Sequence, residues 1–393
     1  MAPSTSLPPA APPAEVVATT APPPTTPVTT APPPPPPPPA PPAPALAAPA
    51  PPNDGVSPAR VAWFYKPPPG VDAAKLARDY DVFVLTKNDE HFRDQLKAAD
   101  PSVRVLQYVL STEIEDPGGG SPQSNQIAWN PGDFNGLLAD HPDWFLRNRD
   151  GGRQTRWFGS RQVSYMDPAS PGWQHWFAQR LLLTYNNAHG WDGVFLDNVE
   201  LSLTKRQREG LVPAAHPTDQ AWQNAMVSFL GHIRSVLGAH GKTVWGNGIE
   251  WSGGQSVLDR YAVQLDGMMA ESFGTDWHGR PRLGSAWEKE IGRAERLTAI
   301  GDHSLLVAQG SRNDTATFRY AYASYLLVAG PTVSFRYAHH SAYHQRWWYE
   351  AYDQALGLPT GARYRQGVGW RRGFEHGSVV VDPQQGTASI SFG

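Results

Sequence analysis

Two short phrases of the sequence end in a carboxylate at the same offset. DGVFLD (192–197) and DGMMAE (266–271) each consist of Asp-Gly, three apolar residues and an acid. Two carboxyl groups that lie close together and have different pKa values can supply an acid and a base or nucleophile. Pairs of this kind cleave glycosidic bonds. We therefore take Asp197 and Glu271 as the candidate catalytic residues.

Both phrases lie in near-continuous apolar runs, which are typical of strands buried on both faces. Longer segments with apolar residues at helical spacing separate these runs. Eight strands that alternate with helices predict an α/β fold, the (β/α)8 TIM barrel. The predicted strands are VAWFYK (61–66), VFVLTK (82–87), VRVLQYVL (103–110), GVFLDN (193–198), TVWGNG (243–248), GMMAES (267–272), SLLVAQ (304–309) and TVSFRY (332–337).

The helical segments complete the barrel prediction. Ser170 is the expected N-cap of a helix with Pro171 at its first position. An open doubly wound sheet is the alternative architecture, but the first strand is not followed by a Gly-x-Gly-x-x-Gly turn. The predicted helices are 72–79, 89–99, 170–185, 219–239, 255–262, 285–299, 314–328 and 342–356.

The two candidate acids fall on the fourth and sixth predicted strands. Inward-pointing residues from alternate barrel strands share one layer. Asp197 and Glu271 are therefore expected to face each other at the C-terminal mouth, with carboxyl groups about 5–9 Å apart. Asp192 and Asp266 precede their strands at the opposite end, where we expect turn or cap roles. The alternative for Asp197 is a buried salt bridge.

The composition divides the chain into three parts. Residues 1–58 hold 24 of the 40 prolines and only two charged residues, so this segment is predicted to be a disordered Pro/Ala/Thr-rich spacer. Residues 59–358 are assigned to the barrel, and 359–393 to a small β appendage packed on it. A long insertion at 111–168 follows the third strand, where barrels build substrate-binding walls.

The charges exclude several partner classes. Outside the spacer the chain carries 33 basic and 34 acidic residues, because only Glu15 and Asp54 of the 36 acids lie within it. This balance argues against nucleic acid or an anionic membrane as a partner, and no membrane span is expected. The absence of cysteine excludes thiol chemistry and zinc–cysteine sites. We expect a monomer, and the linker-like spacer favours an extracellular or cell-envelope location although no signal peptide is visible.

Several phrases also carry a family resemblance: GWDGVFLDNVE after YMDPASPGWQHWF, then WGNG, DGMMAES and RRGFEHGSVVVDP. From about residue 60 to the end, the chain resembles the glycoside hydrolase families related to the endo-α-1,4-polygalactosaminidases. It is most similar to their hypothetical glycosyl hydrolase-like group, which has a TIM-barrel fold. The resemblance implies a bacterial polysaccharide-cleaving enzyme in which acids ending the fourth and sixth strands, Asp197 and Glu271, do the chemistry.

The neighbours of the two acids suggest their roles. Asn198 can donate hydrogen bonds that keep Asp197 ionised as the nucleophile, whereas the apolar residues around Glu271 would raise its pKa for general acid/base work. The roles could be exchanged, and Glu200 and Glu250 are alternative acids. The predicted substrate-binding residues are Lys66, Asn198, Asn247, Gln309, Arg336 and Trp245, with Lys87, Trp63, Trp251 and Trp277 as further candidates.

Other chemistries receive less support from the sequence. His339, His340 and His344 could suit a metal, but no carboxylates lie near them, so we predict neither a metal nor a cofactor. A Gly-x-Ser-x-Gly elbow and a phosphate-binding loop are both absent. The main alternative is a non-catalytic carbohydrate-binding or cell-surface TIM-barrel module, because the same fold can lose its chemistry.

Overall fold

The structure is a computed structural model that describes residues 59–184, 190–249 and 254–393. The predicted spacer therefore lies outside the described residues, as do Tyr185, Glu250 and Trp251. Within the described ranges, no helix is both long enough and apolar enough to cross a bilayer.

The central feature is a sheet of eight parallel strands in the order β1-β2-β3-β7-β8-β9-β10-β11. A parallel bridge between Val61 and Phe335 joins its two edges and closes the TIM barrel predicted above. The described strands are β1 (Ala62–Phe64), β2 (Val82–Leu85), β3 (Arg104–Leu110), β4 (Glu113–Asp116), β5 (Thr155–Phe158), β6 (Arg161–Tyr165), β7 (Gly193–Glu200), β8 (Thr243–Ile249), β9 (Gly267–Ala270), β10 (His303–Gln309), β11 (Val333–Ala338), β12 (Tyr364–Gln366), β13 (Gly369–Phe374), β14 (Gly377–Asp382) and β15 (Thr387–Phe392).

Helices cover the outside of the barrel, mostly within a residue or two of the predicted bounds. The Ser170 side chain accepts a hydrogen bond from Trp173 N and caps α4, with Pro171 in the first turn, as expected. The described helices are α1 (Ala73–Asp79), α2 (Glu90–Ala99), α3 (Asp133–Asp140), α4 (Pro171–Leu182), α5 (Thr204–Arg208), α6 (Asp219–Gly238), α7 (Gln255–Ala262), α8 (Gly284–Ala299) and α9 (Thr315–Val328).

The predicted helix at 342–356 is wrong. The chain there forms only two short 3-10 turns, His340–Ala342 and Glu350–Tyr352. Aromatic residues of this segment pack on α9: the Tyr349 ring lies 3.8 Å from that of Phe318. Tertiary packing of this kind overrides local helix propensity.

Alternation along the strands decides which residues reach the barrel interior. Phe195 of β7 and Met269 of β9 lie in the interior cluster, whereas Val194 and Leu196 pack outward beneath the helices. Since successive side chains of a strand point to opposite faces, an acid two residues beyond Phe195 or Met269 continues the inward-facing row. The fold thus places the last acid of each phrase, Asp197 and Glu271, at the same end of the barrel.

The Asp-Gly halves of the two phrases have matching structural roles. The Asp192 carboxylate accepts from Val105 N at 2.7 Å, and that of Asp266 accepts from Val244 N at 2.8 Å, each at the start of the preceding barrel strand. A Cβ on Gly193 would lie 2.1 Å from the Thr243 carbonyl oxygen. The Asp-Gly start of each phrase therefore has a structural role in strand pairing. Only the last acid of each phrase, Asp197 or Glu271, is a candidate for catalysis.

Two small antiparallel sheets decorate the barrel. The 111–168 insertion folds into a sheet of order β4-β6-β5 with α3 beside it. The C-terminal residues form a second sheet of order β12-β13-β14-β15. Val379 and Val381 of this sheet belong to the same buried cluster as Leu326 of α9, so the appendage packs on the barrel's helical layer.

Candidate active site

A β-bulge at the end of β7 sets the direction of the first candidate acid. The register between β7 and β8 shifts between Leu196 and Val199, so Asp197 and Asn198 together oppose the single residue Asn247. Asn198 takes a left-handed backbone conformation with φ of 56°, which asparagine tolerates better than most residues. Bulges change the direction of side chains next to active sites. Here the bulge brings the backbone N–H of Asn198 to the Asp197 carboxylate.

Three donors hold the Asp197 carboxylate. Its Oδ1 accepts from Asn198 N at 2.8 Å and from Asn247 Nδ2 at 2.9 Å. Its Oδ2 accepts from the hydroxyl of Tyr108, a buried residue of β3. Burial and the Asp197 charge raise the pKa of Tyr108 well above its ordinary value, so the phenol stays protonated and remains a donor. Hydrogen bonds to the charged form of a carboxylate stabilise that form.

Glu271 directly follows β9 and has fewer donors. Its Oε2 accepts from Asn247 Nδ2 at 2.9 Å, and its Oε1 accepts from the Tyr343 hydroxyl at 2.9 Å. Burial raises the pKa of Glu271 to about 7, the charge of Asp197 adds to the rise, and the hydrogen bonds from Asn247 and Tyr343 oppose it. This carboxyl group can therefore gain and lose a proton near neutral pH.

Asn247 limits the distance between the nearest oxygens of the two carboxylates. Asp197 Oδ1 and Glu271 Oε2 each lie 2.9 Å from the same Nδ2 atom. These two oxygens can therefore be no further apart than twice that distance. The amide carries two hydrogens, and each can serve one carboxylate.

A cleft with two lobes passes over the carboxylate pair. One lobe, of about 450 Å³, lies between the barrel mouth and the insertion sheet, and we call it the insertion lobe. The other, of about 890 Å³, runs toward α5, the loop after β9 and α8, and we call it the α8 lobe. The lobes share Asn198, Lys205, Glu271 and Trp277 in their linings. The arrangement offers an acid and a base or nucleophile in the middle of an open cleft.

Asn198 and Gln309 support the site from its edges. The Asn198 side chain donates to Glu113 at 3.2 Å and lines both lobes. The Gln309 amide nitrogen donates to the Tyr343 hydroxyl at 2.5 Å and to the Glu271 carbonyl at 3.1 Å. Gln309 is fully buried and lines neither lobe, so its prediction as a substrate-binding residue is corrected: its hydrogen bonds hold Tyr343 and Glu271 in place.

Two of the residues predicted to bind substrate are buried elsewhere, and these predictions are corrected here. Trp245 has no exposed surface and lies in the barrel interior, with its ring 5.0 Å from that of His303. Arg336 is 1% exposed and donates to the Gln345 carbonyl at 2.7 Å, with its guanidinium over the Trp63 ring. Each side chain is enclosed by its packing partners and cannot contact a ligand in the cleft.

The other two candidate lysines and the alternative acid Glu200 line neither lobe of the cleft. Lys66 is exposed and appears in the lining of neither lobe, although its neighbour Tyr65 lines the insertion lobe. Lys87 lies with its ammonium 5.1 Å from the Trp129 ring. The alternative acid Glu200 is buried and paired with Arg206 at 2.5 Å.

The histidines beyond β11 have non-metal contacts. His339 Nδ1 lies 2.7 Å from Ser341 Oγ, and the His340 ring stacks on Trp277 at 4.9 Å. Over the parts of the chain that the structure describes, no group of three or more His, Cys, Asp or Glu side chains is placed to hold a metal ion.

Tyr108 and Tyr343 are the site residues that the sequence did not reveal. Tyr108 follows Leu106 by two positions on β3, and a tyrosine on an inward-facing row needs a partner for its hydroxyl. That signal was available in the strand pattern. Tyr343 carried no usable signal, because it lies in the segment 342–356 that was predicted to be a helix.

Comparison with known proteins gives one family match. A family model described as hypothetical glycosyl hydrolase family 15 matches residues 97–378. The search of curated proteins finds no match.

Solved structures with similar folds have low identity to this chain. The glycoside hydrolase domain of PelA from Pseudomonas aeruginosa is 17% identical, with a TM-score of 0.45 over 73% of this chain and 96% of that one. TtGalA, an alpha-galactosidase from Thermus thermophilus, is 14% identical, with a TM-score of 0.44 over 82% and 66%. An alpha-amylase from Lactobacillus plantarum is 12% identical, with a TM-score of 0.47 over 82% and 87%.

Proposed function

We propose that this chain, which belongs to the hypothetical glycosyl hydrolase family 15, is a retaining glycosidase that cleaves a poly- or oligosaccharide with Asp197 as nucleophile and Glu271 as general acid/base. Family membership supports glycosidase activity in general. The two-carboxylate mechanism and the role of each acid are argued from the geometry of the site.

The shared contact with Asn247 is the observation that carries the proposal. Both carboxylates lie 2.9 Å from one amide nitrogen, which keeps their nearest oxygens within about 6 Å of each other. Retaining glycosidases hold their carboxyl groups about 5–5.5 Å apart, whereas inverting ones leave about 6.5–9.5 Å for a water molecule. The short separation supports retention of anomeric configuration.

The different environments of the acids support the division of roles. The raised pKa of Glu271, about 7, leaves a protonated fraction near neutral pH that can be delivered to a leaving oxygen. Asp197 accepts three hydrogen bonds, from Tyr108, Asn198 and Asn247, and such bonds favour the charged form that a nucleophile needs. A non-catalytic module would need neither the close pair nor this asymmetry.

The proposed reaction has two steps. In the first, an Asp197 oxygen bonds to the anomeric carbon while the glycosidic C–O bond breaks and the Glu271 proton passes to the departing oxygen. In the second, Glu271 removes a proton from water, the resulting hydroxide bonds to the anomeric carbon, and Asp197 departs with its electron pair. Glu271 ends protonated, as it began.

The shape of the cleft supports a substrate of several sugar units. Its lobes of about 450 and 890 Å³ extend from the carboxylate pair in two directions, and a site that only removed terminal sugars would need one. Trp277 lines both lobes with 42% of its surface exposed, and it offers a ring face for sugar stacking.

The proposal is tested by product analysis on a panel of bacterial and fungal exopolysaccharides. We expect the first product, followed by proton NMR, to have the anomeric configuration of the bond that was cut. The variants D197N and E271Q should each lower kcat by at least about 10³-fold while sugar binding persists.

Azide separates the roles of the two acids. In D197G, azide should restore turnover by taking the place of the missing nucleophile and should give a glycosyl azide of inverted configuration. In E271A, azide should intercept the glycosyl-enzyme and give a product of retained configuration. An inverted first product from the wild-type protein would refute the mechanism, and sugar binding without hydrolysis across the panel would favour the non-catalytic module.

A further inference from the structure

The bulge that carries Asp197 is supported from outside its own strand. Asn198 has a left-handed backbone with φ of 56°, a conformation that residues other than glycine adopt at a cost in free energy. Such a conformation persists where the surrounding contacts determine it. The Asn198 N–H here donates to Asp197 Oδ1 at 2.8 Å, so the groups that hold Asn198 also hold a donor to the proposed nucleophile.

Ser111 holds the backbone of the bulge. It lies between β3 and β4, where its N–H donates to the Asp197 carbonyl at 3.0 Å and its hydroxyl donates to the Asn198 carbonyl at 3.1 Å. Ser111 has no exposed surface and lines neither lobe of the cleft. It therefore contacts both peptide carbonyls of the bulge from a position that a substrate in the cleft does not reach.

Glu113 and Lys205 hold the Asn198 side chain from its two ends. The Asn198 Nδ2 donates to Glu113 Oε1 at 3.2 Å, and the Asn198 Oδ1 accepts from Lys205 Nζ at 3.4 Å. The Lys205 ammonium also lies 3.7 Å from Glu113 Oε1, which closes the set of contacts. Because both polar atoms of the amide have partners, the side chain cannot rotate without losing one of them.

Buried charges anchor Glu113 and Lys205 in turn. The Lys205 ammonium lies 3.7 Å from Glu200, and Glu200 pairs with Arg206 at 2.5 Å. Burial raises the pKa of Glu113, the charge of Lys205 opposes the rise, and that of Glu200 adds to it. Lys205 thus favours the ionised form of Glu113, which is the stronger hydrogen-bond acceptor. Two cations lie beside two carboxylates, so the charges of this group offset one another.

We propose that Ser111, Glu113 and Lys205 are positioning residues for Asp197. Ser111 fixes the backbone of the bulge. Glu113 and Lys205 fix the Asn198 side chain, and the Asn198 N–H is thereby held against the Asp197 carboxylate. The inference rests on the proposed glycosidase function, which it deepens by naming the residues that place its nucleophile. The rate of attack on the anomeric carbon depends steeply on how accurately the attacking oxygen is placed.

K205M and S111A test this role by kinetics. K205M removes a donor to the Asn198 amide, and S111A removes the hydroxyl that donates to the Asn198 carbonyl. We expect kcat to fall by about tenfold in K205M and about threefold in S111A, with KM within about twofold of the wild-type value. K75M makes the same substitution at an exposed lysine that lines neither lobe and should keep the wild-type kcat. Thermal melting, measured alongside, identifies any loss that is due to unfolding.

The azide reaction of D197G separates positioning from substrate binding. Azide takes the place of the Asp197 carboxylate in this reaction, so the placement of that carboxylate no longer matters. Adding K205M or S111A to D197G should therefore change the azide-supported rate by less than about twofold. A loss of about tenfold from K205M in both backgrounds would show that Lys205 acts on the substrate directly, and it would overturn the inference.

Crystal structures of K205M and S111A give a readout that does not depend on activity. We expect the distance from Asn198 N to Asp197 Oδ1 to exceed about 3.2 Å, the usual limit for such a hydrogen bond. An unchanged bulge in both variants would overturn the inference and leave the glycosidase standing. A displaced N–H in a protein that hydrolyses nothing on the panel would support the positioning contacts and count against the enzyme. If azide fails to restore D197G, Asp197 is not the nucleophile, and these two structures decide whether the three residues position it.

Discussion

Tyr343 donates its hydroxyl to Glu271 Oε1 at 2.9 Å, although the two residues are 72 positions apart in the chain. The same hydroxyl accepts from the buried Gln309 amide at 2.5 Å. Gln309 therefore orients a donor that stabilises the ionised form of Glu271, so the pKa of about 7 is a balance between burial and hydrogen bonding. Removing the hydrogen bond from Tyr343 or from Asn247 should therefore raise the pKa of Glu271.

The pH dependence of the wild-type enzyme and of Y343F tests this balance. A general acid must be protonated, so kcat/KM should fall as pH rises through about 7. The Tyr343 hydrogen bond lowers the pKa of Glu271, so Y343F should move this alkaline limb to higher pH. We expect kcat/KM at the optimum to fall by about tenfold. Y108F removes a donor from Asp197 and should lower kcat while leaving the limb in place.

Replacing Asn247 should impair the carboxylate pair more severely. N247A removes the donor that lies 2.9 Å from both acids, so their repulsion is no longer offset. We expect kcat/KM to fall by roughly 10²-fold and the alkaline limb to move upward, because the Asn247 hydrogen bond lowers the pKa of Glu271. A merely structural role for Asn247 would reduce stability and leave the limb unmoved, so thermal melting is measured in parallel.

Much of this arrangement could be predicted from the sequence, because it follows from regular alternation. The apolar runs identified all eight barrel strands, and equal offsets after Gly193 and Gly267 predicted Asp197 and Glu271 at one end of the barrel. Asn247 was predicted near the pair for the same reason, since WGNG lies on the strand between them. In a regular strand, every second side chain points to the same face, so the facing of a residue can be predicted from its position in the sequence.

What could not be predicted depends on irregular backbone and on packing. Asn198 was expected to donate a hydrogen bond to Asp197, but the sequence did not show that a bulge would make its backbone N–H the donor. Trp245 looked accessible because it lies near the end of its strand, yet its parity turns it into the barrel interior. Tyr343 lies in a segment whose aromatic packing replaces the helix that its composition favours.

The raised pKa of Glu271 should also reduce stability at alkaline pH. The folded pKa of about 7 exceeds the ordinary value of 4.5, so the folded protein binds the proton more tightly than the unfolded chain does. The contribution of protonated Glu271 to stability is present below about pH 4.5 and is lost as pH rises through about 7. E271Q cannot ionise, so its melting temperature should exceed that of the wild type at pH 8.

The E271Q advantage should shrink as the pH is lowered from 8 to 5, because wild-type Glu271 then becomes protonated. E350Q, a substitution of an exposed glutamate, serves as the control and should melt at the wild-type temperature at both values of pH. An E271Q variant that melts below the wild type at pH 8 would contradict the proposed balance, since the surroundings of Glu271 would then favour its ionised form.

Trp277 should affect substrate affinity more than turnover. The residue is 42% exposed and lines both lobes, and its ring stacks on that of His340 at 4.9 Å. W277A should raise KM for a polymeric substrate by about tenfold and change kcat little. Trp157 is more exposed, at 65%, but lines neither lobe, so W157A should leave KM unchanged. Equal changes of KM in W277A and W157A would show that Trp277 does not contact the substrate.

Trp245 should affect stability and not substrate affinity. Its indole fills the barrel interior against His303, and a Cβ on Gly267 would lie 2.6 Å from it. W245A should lower the free energy of unfolding by about 3–5 kcal/mol, while W245F retains an aromatic ring and should keep the wild-type KM. G267A should also destabilise the protein, but less so in the W245F background, because the smaller ring leaves room for the added methyl group. Urea denaturation of the wild type, W245F, G267A and W245F/G267A measures this coupling, and additive losses would show that the indole does not require the glycine.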